Sequence, residues 1–360
     1  MSISFYNLKE QFEDQRHELL QTILHVSESG QYFNHPMVEK FESLVSHLYD
    51  GASCAGTSSG TAALTIALQL ANLPKNSKVV IPALTYIATA NAVVAAGLQP
   101  YCVDIDKYWL LNYNHLKHTL DTEQDISAVI AVDLYGQGVD LSLFKPLCDY
   151  YNVKLIVDAA QSFEIYYDHY HQIDFCDSVA LSFNPLKNLG ALANAGAVVS
   201  KNYTVDQMKA FTHQGKQNND CSIPGNNFRI DATQAAVLLV KYERFADAMN
   251  RKNVISYYYR SEFEKLAVMP YKIEYATPTN YVFPIAVKNP ETVKTFLGLH
   301  NIQFASHYEK PVHHYSAYKT DVDRCEFASA LAGKIISLPN HWHLSDNQVT
   351  QIVEVVKKAL

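Results

Sequence analysis

Four stretches of this 360-residue chain place reactive or ligand-binding side chains where strands would hand over to helices. "LSFNPLKNLG", residues 181–190, carries Ser182, a single lysine at Lys187 and a glycine just beyond, behind the strand-like run "DSVALSF". Most lysines are solvated surface charges, so Lys187 is either one of these or a reactive amine. "IVDAAQS" ends an apolar run on Asp158, with Gln161 one short turn later. A strand-end aspartate can simply cap a turn. A carboxylate buried at the end of an apolar strand, however, costs several kcal/mol unless a cationic partner is supplied. "TSSGTAAL" opens a helix at Gly60 and Thr61, whose backbone N–H groups and helix dipole would face an anion; S-G-T is also an ordinary cap. "PGNNFRIDATQAA" sets Asn227 and Arg229 before a long helical pattern.

Together these groups suit one cofactor. Pyridoxal phosphate needs a lysine for its Schiff base, a carboxylate for its pyridine nitrogen, donors for its phosphate and an aromatic or apolar side chain over its ring. Lys187, Asp158, the Gly60–Thr61 amides with Ser182, and Tyr86 in "PALTYIATANAV" would supply them. His, Asp and Glu show no spacing expected of a metal site.

The elements that must position these residues are legible in the hydrophobic pattern. Strands are expected at 53–57, 78–82, 100–104, 128–133, 154–159, 177–183 and 195–200, separated by amphipathic stretches such as "GTAALTIALQLAN" and "LSLFKPLCDYYN". Alternating strands and helices predict an α/β fold with a mostly parallel sheet covered on both faces. After about residue 230 the rhythm changes. One long helix is expected through "DATQAAVLLVKYERFADAMNRKNVISYYYRSEFEKL", followed by "NYVFPIAV", "ETVKTFLGLH" and a last helix opened by Ser345 and Gln348. The expected organisation is a large domain, 1–240, with an N-terminal helical segment, and a smaller α+β C-terminal domain, 241–360.

Composition narrows the partners. Hydrophobic residues make up 48% and charged residues 18%, ordinary for a globular chain. A net charge of −7 without a Lys/Arg-rich stripe predicts no nucleic-acid partner. The N-terminus lacks the pattern of a secretory signal, and the most apolar stretch, 79–97, is interrupted by Pro82, Thr85, Thr89 and Asn91, so no membrane span is expected. Six cysteines without a C-x-x-C pair or regular framework predict reduced thiols and a cytoplasmic location.

The chain resembles the DegT/DnrJ/EryC1/StrS family of pyridoxal-phosphate-dependent nucleotide-sugar aminotransferases. The resemblance runs in order through "SSGTAAL", "IPALTYIATANAV", "VDLYGQGVD", "IVDAAQSF", "SFNPLKNLG", "GNNFRIDATQAA" and "SLPNHWHLSDNQV". It implies the aspartate-aminotransferase-like, type I pyridoxal-phosphate fold, with the large domain binding the cofactor. It also implies roles: Lys187 for the Schiff base, Asp158 for the pyridine nitrogen, Gln161 for the 3-hydroxyl, Tyr86 stacked on the ring, and Ser182, Gly60 and Thr61 for the phosphate. Asn227 would reach that phosphate from the neighbouring subunit of a homodimer. His307, Tyr308 and His313, in "HYEKPVHHYSAY", would meet the sugar, and Arg229 a donor carboxylate or a substrate phosphate. Each of these histidines could equally pack between loops, and Arg229 could brace the interface loop.

The implied reaction moves an amino group from L-glutamate to a keto-hexose on UDP or dTDP, feeding surface polysaccharide, lipopolysaccharide or glycoside synthesis. Gln161 resembles members that aminate at C-3; a 4-keto acceptor is the alternative. The chain departs from the family pattern at "ANAGA" (193–197), "SFEIYY", "HQGK" and "QYFNHP", none of which removes a cofactor ligand. A dehydratase of the same fold would carry histidine in place of Lys187. A dinucleotide-binding dehydrogenase would want G-x-G-x-x-G where this chain has "GTSSGT". A regulatory protein on the same fold is the remaining alternative.

Overall fold

A seven-stranded sheet forms where the apolar runs predicted one. The computed structural model describes residues 2–168, 170–217, 220–319 and 324–360. Its strands are β1 (Ser53–Thr57), β2 (Lys78–Pro82), β3 (Gln99–Val103), β4 (Ile126–Val132), β5 (Lys154–Asp158), β7 (Ser178–Ser182) and β8 (Gly196–Ser200); the short β6 (Tyr166–Tyr167) pairs instead with Ala276–Thr277. The order across the sheet is β1-β8-β7-β5-β4-β2-β3. Only β8 runs against its neighbours; the other pairings are parallel. Strands β7 and β8 are buried along their whole length. A strand covered on both faces has no solvent side to leave polar, which is why these segments read as continuous apolar runs.

This order decides where the site lies. Strands β1, β2, β5 and β7 run in one direction, so their carboxyl ends open on the same edge of the sheet. Three helices, α1 (Leu8–Asp14), α2 (Arg16–Ser29) and α3 (Pro36–Leu48), precede the sheet. At the edge, β1 leads into α4 (Gly60–Leu70) and β2 into α5 (Ala88–Ala95). Ser59 caps α4 by accepting from the Ala62 N–H at 3.1 Å.

The single long helix expected after residue 230 is two helices, Ala232–Tyr242 and Phe245–Phe263. The backbone leaves the helical region at Arg244 (φ −108°, ψ 7°). No glycine or proline announces the break; the buried Phe245 ring packs on Phe163 and Tyr242 there, with centroids 5.5 and 5.9 Å away. Phe245–Phe263 then joins a second apolar cluster that includes Tyr259, Phe263, Phe283, Leu297, Ile336 and Val353. The antiparallel pair Phe283–Ala286 and Ile335–Leu338 lies in this part of the chain. Ile3 belongs to the same cluster and exchanges backbone hydrogen bonds with Asn301 and Gln303, each 2.9 Å. The last helix, Asp346–Ala359, carries the expected reciprocal cap: Ser345 Oγ accepts from the Gln348 N–H and Gln348 Oε1 accepts from the Ser345 N–H. Among the described residues no helix is long and apolar enough to cross a membrane, and no cluster of His, Cys, Asp or Glu could hold a metal.

Candidate active site

The four carboxyl ends enclose a cavity of about 460 Å³. Lys187, Asp158, Gly60, Thr61, Tyr86, Gln161, Ser182, His307 and Tyr308 all line it.

Lys187 stands on a tight loop after β7. Asn184 Oδ1 accepts from the Leu186 N–H at 3.1 Å, and the Asn184 carbonyl accepts from the Lys187 N–H at 2.8 Å, so the asparagine turns the chain just ahead of the lysine. A side chain at Gly190 would place its Cβ 2.5 Å from the Pro185 carbonyl oxygen, which is why glycine closes the loop. Lys187 Nζ lies 4.5 Å from the centre of the buried Tyr281 ring. Burial pushes its pKa down to about 8, against the opposing pull of Asp158.

Burial pushes the Asp158 carboxyl up, while the Thr89 hydroxyl, the Ala160 N–H and the Lys187 charge favour its ionised form. Thr89 Oγ1 donates to Asp158 Oδ2 at 2.9 Å, and the Ala160 N–H donates to Oδ1 at 3.2 Å. The partners that a strand-end carboxylate requires are therefore hydroxyl and amide donors as well as a lysine.

Gly60 faces Ser182. A Cβ on Gly60 would come within 2.6 Å of Ser182 Cβ and 2.9 Å of its Oγ. The bare backbone lets the first turn of α4, whose N–H groups have no carbonyl one turn behind them, sit directly against the serine hydroxyl. Helix N–H groups and a side-chain O–H placed together in this way offer donors that suit an anion.

Gln161 is committed on both sides. Its Oε1 accepts from the Tyr135 N–H at 2.6 Å, and its Nε2 donates to the Tyr308 hydroxyl at 3.2 Å. The Tyr86 ring, largely exposed, lies 6.0 Å from the Tyr308 ring. His307 Nδ1 is 2.9 Å from Ser337 Oγ; burial and the Lys187 charge push its pKa down to about 4, so the imidazole is neutral.

Three expected residues lie elsewhere within this chain. Asn227 is exposed on the segment between Thr212 and Ala232 and does not line the cavity. Arg229 stacks over Phe33 at 4.5 Å, with its Nε buried and lacking a hydrogen-bond partner. His313 is buried beside Ser329, 3.2 Å away, and lines a different cavity with Tyr101, Cys102 and Tyr318.

Other wall residues lie outside the expected set. Thr89 sits in the quoted "TYIATANAV", one helical turn past Tyr86, so its spacing was an available signal. Asn184 and Asn194 pair across the wall, Nδ2 to Oδ1 at 2.8 Å, but a lone asparagine carries little information. Tyr6 and Tyr281, whose hydroxyls meet at 3.2 Å, arrive from distant parts of the chain with no motif around them.

The model of the DegT/DnrJ/EryC1/StrS aminotransferase family matches residues 13–357. The erythromycin biosynthesis sensory transduction protein EryC1 of Saccharopolyspora erythraea is 29% identical, over 99% of this chain and 99% of that protein. The dTDP-3-amino-3,4,6-trideoxy-alpha-D-glucose transaminase of Streptomyces venezuelae is 28% identical, over 99% and 96%. The solved structure of S. venezuelae DesV in complex with a ketimine intermediate superposes with a TM-score of 0.94 at 26% identity, covering 99% of this chain and 98% of that one.

Proposed function

The chain belongs to the DegT/DnrJ/EryC1/StrS aminotransferase family and is a pyridoxal-phosphate-dependent sugar aminotransferase; from that premise we propose that it transfers the amino group of L-glutamate to C-3 of a keto-hexose carried on UDP or dTDP. The observation that carries this reading is the convergence of Lys187, Thr89-held Asp158 and the Gly60–Ser182 cradle on one cavity.

The donor set fits the cofactor. Lys187 would hold it through its amine, Asp158 through the ring nitrogen, the Gly60 and Thr61 N–H groups with the Ser182 hydroxyl through the phosphate, and Tyr86 across the ring face. Pyridoxal phosphate, when bound, supplies an electron-withdrawing ring that stabilises the negative charge left on carbon when a neighbouring proton is removed.

The protein's part is proton handling and placement. An amine pushed down to about 8 has a sizeable neutral fraction near neutral pH, so Lys187 can accept a proton from the donor's α-carbon and return one to the acceptor. Tyr281 covers one side of that amine. Neutral His307 and Tyr308 offer hydrogen-bonding groups to the sugar without adding charge to the cavity.

Amination at C-3 is supported by the "DAAQ" glutamine and by the C-3 amino group in the name of the S. venezuelae relative. A homodimer with shared sites is supported by Asn227, exposed and outside its own chain's cavity. The cytoplasm remains the expected compartment from the cysteine pattern, and supply of amino sugars for surface polysaccharide or lipopolysaccharide remains the expected use.

The test is an absorbance titration. Purified protein with pyridoxal phosphate should show a band near ~420 nm that moves to ~330 nm on addition of L-glutamate, the usual positions for this cofactor's lysine-bound aldehyde form and its amine form. Return of the first band with 3-keto but not 4-keto UDP- or dTDP-hexoses would support the acceptor. A preference for 4-keto sugars would overturn C-3, and no band at all would overturn the reading.

A further inference from the structure

Helix Phe245–Phe263 carries a lysine on its buried face. Lys252 is 4% exposed, and its Nζ donates to Asn188 Oδ1 at 2.6 Å and to the Tyr281 carbonyl at 3.0 Å. Both acceptors are neutral, and burial pushes Lys252 down to about 7. A neutral amine has two N–H bonds, and here each meets one acceptor.

Those acceptors belong to the two residues that set the surroundings of Lys187. Asn188 follows it in the chain, and the Tyr281 ring lies 4.5 Å from its Nζ. The contacts continue: Asn188 Nδ2 donates to the Thr279 carbonyl at 3.0 Å, and Thr279 Oγ1 donates to the Gln161 carbonyl at 2.8 Å. A hydrogen-bonded chain thus ties the loop after β7 to the loop after β5 from behind the cavity. Lys252 does not line the cavity itself.

We propose that Lys252 is a positioning residue: it clamps Asn188 to the Tyr281 carbonyl and so sets the angle at which the Lys187 amine is presented over the Tyr281 ring. A methionine would fill nearly the same volume but leave Asn188 Oδ1 and the Tyr281 carbonyl without this donor. The side chain's hydrogen bonds, rather than its bulk, carry the role. The inference rests on Lys187 being the catalytic lysine.

The test compares wild-type holoenzyme with Lys252→Met by induced circular dichroism of the bound cofactor's visible band, cofactor affinity and steady-state kinetics. Circular dichroism reports the tilt of the chromophore whether or not the enzyme turns over. Folded Lys252→Met should bind cofactor, lose roughly half of the induced signal and drop kcat by roughly 30-fold, with KM for L-glutamate within about 3-fold, as expected for misplacement on the ångström scale. Asn188→Leu, which removes the acceptor and leaves Lys252 in place, should reproduce the pattern and covers the case in which Lys252→Met does not fold. A folded variant of either kind with wild-type dichroism and kcat overturns the inference alone. Wild-type protein without a visible band overturns the proposed function, and this inference with it.

Discussion

Lys187 Nζ stands 4.5 Å from the centre of the Tyr281 ring, so a residue from the C-terminal part of the chain forms one wall for the Lys187 amine. The ring face favours the charged amine, while burial favours the neutral one. Tyr281→Leu should remove the first influence, lowering the Lys187 pKa further and making the amine a weaker base, which reduces kcat by roughly 10-fold, the scale of a desolvated cation–π contact. Tyr281→Phe keeps the ring, losing only the 3.2 Å contact with Tyr6, and should stay within about 3-fold of wild type on the scale of one hydrogen bond. Equal effects of the two substitutions would show that the ring face is not what matters.

The pH dependence of cofactor capture follows from the Lys187 shift. Only the neutral amine attacks an aldehyde, so the rate at which cofactor-free protein takes up pyridoxal phosphate should rise with pH through about 8 and then level off. An ordinary lysine would keep rising to ~10.4. The same shift has a sign for stability. Between about 8 and ~10 the unfolded chain binds more protons at this position than the folded one, so this group's contribution becomes more favourable as pH rises through that window. Lys187→Ala should abolish both uptake in the visible band and turnover; retained turnover would remove Lys187 from its role.

Thr89 is the direct test of how Asp158 is held. Thr89→Val keeps the shape and deletes the 2.9 Å hydrogen bond to Asp158 Oδ2. Hydrogen bonds to charged groups contribute about 1.5–3 kcal/mol, so cofactor affinity should fall by roughly 10- to 100-fold. Equilibrium titration of cofactor-free protein reads this directly, and unchanged affinity would mean that Ala160 and Lys187 suffice.

The Gly60–Ser182 contact separates packing from binding. Gly60→Ala brings a methyl group within 2.6 Å of Ser182 Cβ and should destabilise the fold by about 1–3 kcal/mol while weakening the cofactor. Adding Ser182→Gly should relieve the clash and restore the melting temperature. Cofactor affinity should stay low, because the hydroxyl proposed to hold the phosphate is gone. Recovery of both would place the phosphate elsewhere.

Asn227 gives the test of shared sites. Mixing Lys187→Ala protein with Asn227→Ala protein under conditions that exchange subunits should restore activity well above either alone, since one site of each hybrid then holds both native residues. A residue acting within its own chain would yield no such intact site, and no recovery would follow.

Much of the cavity wall was readable from residue types and order. Strand-end runs and their following turns carried Lys187, Asp158, Gly60, Ser182 and Tyr86, and the structure brings these onto one cavity. Thr89 stands in one of these motifs, but its importance depends on which carboxylate faces its helix, and only the fold decides that. The break at Arg244 was invisible, since buried aromatic packing rather than a helix breaker produces it.

What the sequence determined by itself were the local properties: which segments are apolar enough to be covered on both faces, where the chain turns, and which turns carry a lysine, a carboxylate or a helix N-terminus. These follow from interactions between near neighbours in the chain. Tertiary structure alone decided that Tyr6 and Tyr281 close the same cavity as the expected His307 and Tyr308. It also decided that Arg229 packs on Phe33, that His313 falls outside, and that Lys252 reaches Asn188. Contacts between distant segments depend on strand order and on how the second apolar cluster docks against the first. Neither leaves a periodicity or spacing in the sequence from which it could be read.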